Sequence, residues 1–320
     1  MTTTQAAATV NRTVTVKADV RRAFDVFTDG FDTWWPRGHH IGKKPMVKAV
    51  IEPRVGGRCF GREADGNECQ WGTVTAWDPP NRLVIAWHIN PDFQTIVLDP
   101  AKSSEVEVCF TPEADGMTRV DLEHRHLERH GAGFEKLRAS VAGPGGWPGL
   151  LQVFGRTANV YHPAVKPVAF ILAQNDALAD RAFAGIKPED LWKRPTESNN
   201  AMLWIFGHMA AVRARMLNAL GDDFDPGLGE AFGRGAQLQD AAAYPTREKI
   251  SEASREVNAR LFAKLAAMSD AELSRDARGA MPPSVKTVGD QIAFFALHDS
   301  YHVGQLAYVR KALGLPGVVG

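Results

Sequence analysis

The sequence predicts an α+β domain, an antiparallel sheet wrapped on a long helix, followed by an all-α four-helix bundle. Three observations carry this expectation. Between Arg12 and about Glu128 apolar residues alternate with period two between turn dipeptides, the signature of antiparallel strands. Beyond the stretch 160–167, which holds Pro163 and Pro167, the alternation stops and four long segments of helical period take over. At 320 residues the chain exceeds one small core and suits two domains of ordinary size.

In the first half, residues 12–16 read as a strand and 20–28 as a short helix with Ala23, Phe24 and Phe27 on one side. A strand at 47–51 precedes the break at Gly56 and Gly57, and a hairpin closes around Asp65 and Gly66. The segment 71–77 stops at Pro79 and Pro80, and 83–89 follows. Val106, Val108 and Phe110 alternate up to a turn at Asp115 and Gly116. Val120, Leu122, His124 and His126 then share one face of the return strand, with Arg119, Asp121, Glu123 and Arg125 on the other. Helical stretches at 133–138 and 149–158 flank the break Gly143-Pro144-Gly145-Gly146. In the second half the helices span 168–184, 200–220, 246–268 and 287–313. Lys187-Pro188, the Gly/Asp/Pro-rich run 221–235 and Met281-Pro282-Pro283 mark their loops.

Composition narrows the function. Lys plus Arg and Asp plus Glu are both 37, so no net field recruits nucleic acid or an anionic membrane. No apolar run is long enough to span a bilayer. The opening MTTTQAAATV lacks the basic and apolar regions of a secretory signal. Cys59, Cys69 and Cys109 form no C-x-x-C pair and suggest no disulfide framework, so a reduced, cytoplasmic setting is expected.

The candidate chemistry lies in the last helix. His298 and His302, four apart, project from one helical face, and Gln305 falls on that face as well. Gly304 is expected to let another helix approach closely. His208, inside the apolar run 202–209, supplies a third imidazole from a facing helix. Such a set fills three positions of a tetrahedral or octahedral metal site and leaves others open. Spacing alone also admits a satisfied histidine pair and a core His208. A metalloprotease H-E-x-x-H helix is excluded, because Asp299 stands where the Glu base belongs. In the first half, Trp35, Trp71, Trp87, His124 and His126 are candidates for lining a ligand pocket; the histidines could equally sit in water at the sheet edge. His39 and His40 read as surface residues. No residue is assigned a catalytic role.

The segments Thr287-Val288-Gly289-Asp290, His298-Asp299-Ser300-Tyr301-His302-Val303-Gly304-Gln305-Leu306 and Arg310-Lys311-Ala312-Leu313-Gly314 resemble the last helix of the DinB-like family. So do Trp192-Lys193-Arg194-Pro195 and Trp204-Ile205-Phe206-Gly207-His208. The resemblance implies that His208, His298 and His302 bind a divalent metal, commonly zinc or nickel, inside a four-helix bundle at 165–316. Gln305 would then be a hydrogen-bond partner behind the ligands. Some relatives are thiol-dependent transferases or isomerases. Val20 to Phe27, Trp34-Trp35-Pro36, Gly56-Gly57-Arg58, Trp71-Gly72-Thr73-Val74, Pro79 to Leu83 and Gly145 to Leu151 resemble the START-like (SRPBCC) superfamily. The nearest branch is that of the chaperone ATPase activator homologues. This implies a helix-grip fold at 10–158 with an apolar cavity between sheet and helix.

The expected function is therefore a cytoplasmic divalent-metal-binding protein, a metal-dependent thiol-linked transferase or hydrolase, fused to a small-molecule-binding domain. All three cysteines lie in the first half, so thiol chemistry at the bundle would use an exogenous low-molecular-weight thiol. The alternative is a non-enzymatic ligand-binding or stress-response module with a structural metal. A weaker one is a co-chaperone.

Overall fold

The computed structural model describes residues 8–228, 230–233, 236 and 239–319. The first seven residues, on which the expectation of no secretory leader partly rests, lie outside that set, as do Gly229, Arg234 and Gly235 of the predicted loop 221–235. The chain divides into two units, one ending at Val160 and the other starting at Tyr161.

In the first unit the alternating segments form one curled antiparallel sheet of seven strands. These are β1 (Val10–Val16), β2 (Met46–Ile51), β3 (Arg58–Glu63), β4 (Glu68–Asp78), β5 (Arg82–Trp87), β6 (Ser104–Pro112) and β7 (Thr118–Arg125). Their order across the sheet is β1-β7-β6-β5-β4-β3-β2. Register pairs Val106 with His124, Val108 with Leu122 and Phe110 with Val120, so the apolar residues of β6 and β7 stand on one face. On the opposite face Arg125 meets Glu105, Glu107 and Glu123. At the β2 edge, the Ala49 N–H donates to the Asp32 carboxylate at 2.6 Å, and the register slips between Met46 and Lys48.

Helices α1 (Val20–Phe27), α2 (Phe31–Trp34), α3 (Phe134–Ala142) and α4 (Trp147–Ala158) pack with this sheet. The closing helix is split, as the Gly143–Gly146 break predicts. A Cβ on Gly146 would sit 2.3 Å from the Val141 carbonyl oxygen, so the chain turns there only because no side chain is present.

Where the resemblance implies an apolar cavity between sheet and helix, aromatic rings pack against one another. Phe27 lies 5.2 Å from Phe154, Trp35 stacks on Trp71 at 5.8 Å, and Trp87 lies 5.4 Å from Trp71 and 5.9 Å from Trp147. Beside Trp35 and Trp71 the space amounts to about 20 Å³, room for one water. Large aromatics bury 150–250 Å² each and favour edge-to-face or offset-stacked pairs.

The second unit is a bundle of α5 (Lys166–Phe183), α6 (Met202–Ala219), α7 (Arg247–Ala266) and α9 (Val288–Ala312), with a short α8 (Asp270–Leu273) before the last. Each long helix begins and ends within two residues of its predicted bounds. Pro167 opens α5, Thr246 caps α7, and Thr287 with Asp290 forms a capping box on α9. Helix α6 packs on α7, α9 and the single turn Glu230–Phe232, which is why it is apolar on nearly every side.

Candidate metal centre

Helices α6 and α9 bring His208, His298 and His302 together, with a ligand-capable atom of each within 4.8 Å of the others. The Nε2 atoms of His298 and His302 are 3.2 Å apart. Two ligands at about 2.05 Å from one ion in tetrahedral geometry would stand roughly 3.3 Å apart. The helical spacing read from the sequence therefore delivers metal-ligand spacing directly.

Protonation fits as well. His208 Nδ1–H donates to the Phe232 carbonyl at 2.6 Å, and His302 Nδ1–H donates to Gln305 Oε1 at 2.7 Å. A neutral imidazole that donates from Nδ1 carries its lone pair on Nε2. Burial pushes all three imidazoles below their ordinary pKa, toward the neutral form a metal requires. His298 Nδ1 is buried without a hydrogen-bond partner among the described residues.

The Phe232 carbonyl is positioned by packing. A Cβ on Gly207 would come within 2.4 Å of the Phe232 ring, so the glycine makes the notch that holds it. Trp204 Nε1–H donates to the neighbouring Ala231 carbonyl at 3.2 Å, and the Trp204 ring stacks on His208 at 5.0 Å. Gly304, expected to admit a close helix, instead faces outward: a Cβ there would meet nothing within 4 Å.

Asp299 turns away from the histidines. Its carboxylate takes two hydrogen bonds from Arg213, at 2.9 and 2.7 Å, and one from Asn175 at 2.9 Å. Arg213 also donates to Asp176 and Asn258, both at 2.5 Å. The sequence reading missed this network because its members lie on four different helices and only Asp299 adjoins a motif residue.

Two protein families match the chain. The DinB superfamily matches residues 171–306, and the activator of Hsp90 ATPase homolog 1-like (AHSA1) family matches residues 17–154. The chain carries an AHSA1-like domain and a DinB-superfamily domain. The DinB superfamily is a metal-binding family, and the AHSA1-like domain is a ligand-binding module.

Among solved structures, the anthrahydroquino-Gama-pyrone synthase Txn09 complexed with SUM is 40% identical over 46% of this chain and 95% of its own, with a TM-score of 0.36. The self-sacrificing resistance protein CalC from Micromonospora echinospora is 36% identical over 48% of this chain and 94% of its own, with a TM-score of 0.37. No curated protein matches.

In the AHSA1-like domain the pocket candidates separate. Trp35, Trp71 and Trp87 belong to the ring cluster, and the buried Trp87 Nε1–H has no hydrogen-bond partner among the described residues. His124 is fully buried rather than at a wet edge: Trp147 Nε1–H donates to its Nδ1 at 3.1 Å, and its Nε2 meets Ser104 Oγ at 2.8 Å. His126 does not join it. Strand β7 ends at Arg125, and His126 takes a left-handed conformation, φ 60°, with its ring 3.6 Å from Glu128. His39, read as a surface residue, is exposed, whereas His40, read likewise, is half-buried; both border the small space beside Trp35. Sequence reasoning also missed His130, which shares Ser104 Oγ with His124 at 2.8 Å. The loop that folds it back carries no periodic signal.

Proposed function

We propose that His208, His298 and His302 hold one divalent ion, zinc or nickel, and that the DinB-like domain, 165–316, uses it for thiol-linked transfer or hydrolysis. The domain at 10–158 would contribute small-molecule binding, in a reduced cytoplasmic setting. The observation that carries this reading is the orientation of the imidazoles, with the Nδ1–H of His208 and His302 donated away from the shared Nε2 cluster.

Gln305 is occupied by His302, and among the described residues no fourth His, Cys, Asp or Glu joins the three. That supports an open position rather than a closed structural site. When bound, such an ion acts as a Lewis acid and lowers the pKa of a coordinated water or thiol. Burial raises the Cys59, Cys69 and Cys109 thiols, so these residues are poor sources of thiolate and an exogenous thiol fits better.

Metal analysis tests the site. The chain should hold about one divalent ion, and His298→Ala combined with His302→Ala should hold none. Full metal content in the double variant would overturn the proposal. With cobalt bound, a small thiol should perturb the visible bands; an unchanged spectrum at saturating thiol would assign a closed, structural ion.

A further inference from the structure

Helix α9 turns an uncharged row of residues to solvent. Between Asp290 and Lys311 its exposed residues are Ala293, Leu297, Tyr301, Gly304 and Tyr308. Steps of three and four residues keep all five within an arc of about 80° over about 22 Å of helix. Leu297, Tyr301 and Tyr308 are 68%, 64% and 54% exposed. Single apolar residues at a surface are ordinary, but a continuous row of them marks a contact. Helix α7 of the same bundle shows the ordinary case, exposing Glu248, Glu252, Glu256 and Arg260.

Gly304 is a second, independent observation. It lies in the interior of a 25-residue helix, where glycine is a poor helix former. Nothing described in its own chain asks for it: a Cβ there would meet nothing within 4 Å, and its φ is outside the left-handed region. The missing side chain therefore points to a close approach from outside the chain.

We infer that this row docks a second copy of the chain, whose α9 runs antiparallel to the first across a two-fold axis beside Tyr301. A two-fold contact must be self-complementary, and this row is. With Tyr301 next to the axis, Leu297 of one copy falls opposite Gly304 of the other, and Ala293 falls opposite Tyr308, large against small each time. The same register sets Asp290 opposite Lys311, so that the two exposed charges bracketing the row are paired at both ends. A parallel pair would set each of these charges against its own kind. Tyr301 also lies 5.2 Å from His302, so the contact forms beside each three-histidine centre without depending on a metal in it.

Sedimentation equilibrium of the full chain at tens of micromolar should give a dimer. Leu297→Gln and Gly304→Gln, both at exposed positions, should each raise the dimer dissociation constant about tenfold or more while helical circular dichroism is retained. Gly304→Gln also separates docking from a structural role. Glutamine is the better helix former, so the thermal midpoint of the dilute, monomeric chain should rise even as the dimer weakens. Under mild oxidation, Leu297→Cys mixed with Gly304→Cys should cross-link above the background of the unaltered chain, and Leu297→Cys alone should not. A monomer at tens of micromolar, or a dimer that both glutamine variants leave intact, overturns the inference. Cross-linking of Leu297→Cys to itself, and not to Gly304→Cys, overturns the antiparallel pairing.

Discussion

His124 illustrates what a single buried imidazole contributes. Trp147 donates to Nδ1, so the ring's own proton sits on Nε2 and is given to Ser104. Burial, reinforced by His130, pushes its pKa down to about 3 from an ordinary 6.5. Because the folded value lies below the unfolded one, the unfolded chain takes up the proton first. Stability is therefore full above about pH 6.5 and is lost as pH falls toward about 3. The contribution at stake is on the order of a few kcal/mol. His124→Gln keeps an acceptor for Trp147 and a donor for Ser104 but cannot titrate. Urea unfolding followed by tryptophan fluorescence should show a shallower loss of stability between pH 6.5 and 4 in the variant; an unchanged slope would show that other groups carry it. Period-two spacing placed His124 on the inner face but could not show that the strand stops one residue later, because the left-handed turn at His126 is set by the returning loop. The meeting of His298 and His302 with His208 was legible for the opposite reason: helical spacing is rigid. The Phe232 carbonyl that orients His208 was not, since a backbone acceptor leaves no mark in a sequence.

At the scale of elements, the long helices were readable because caps, prolines and apolar period agreed. Their mutual rotation was not. That is fixed by Arg213 of α6, which holds Asp176 of α5, Asn258 of α7 and Asp299 of α9 in one buried network. Asp299 stands where a metalloprotease helix carries its Glu base, but its carboxylate is committed to Arg213 while its neighbour His298 meets His208 and His302. Removing Arg213 leaves the buried Asp299 carboxylate without the guanidinium that neutralises it. Arg213→Ala should cost about 3–5 kcal/mol, measured by urea unfolding followed through helical circular dichroism. A loss below about 1 kcal/mol would mean that water or protonation replaces the arginine at little cost.

For the whole molecule, the division at Val160 and Tyr161 yields two observables that can be followed separately. Of eight tryptophans, Trp192 and Trp204 alone lie in the DinB-like domain, so fluorescence reports mostly on the other domain. Metal bound only to the folded bundle stabilises it by about 2.7 kcal/mol at a hundredfold excess over Kd. Adding a chelator should lower the thermal midpoint of the helical signal and leave that of tryptophan fluorescence in place. Equal shifts in both would show that the domains unfold as one. The β2 edge of the AHSA1-like sheet bears on a different property. An open sheet ends in a row of backbone donors and acceptors that can template a foreign strand. Here one of those donors, the Ala49 N–H, is already taken by Asp32, and the register slip at Met46 and Lys48 spoils the straight edge a second strand would need. A carboxylate on a four-residue helix thus blunts this margin against pairing with a foreign strand.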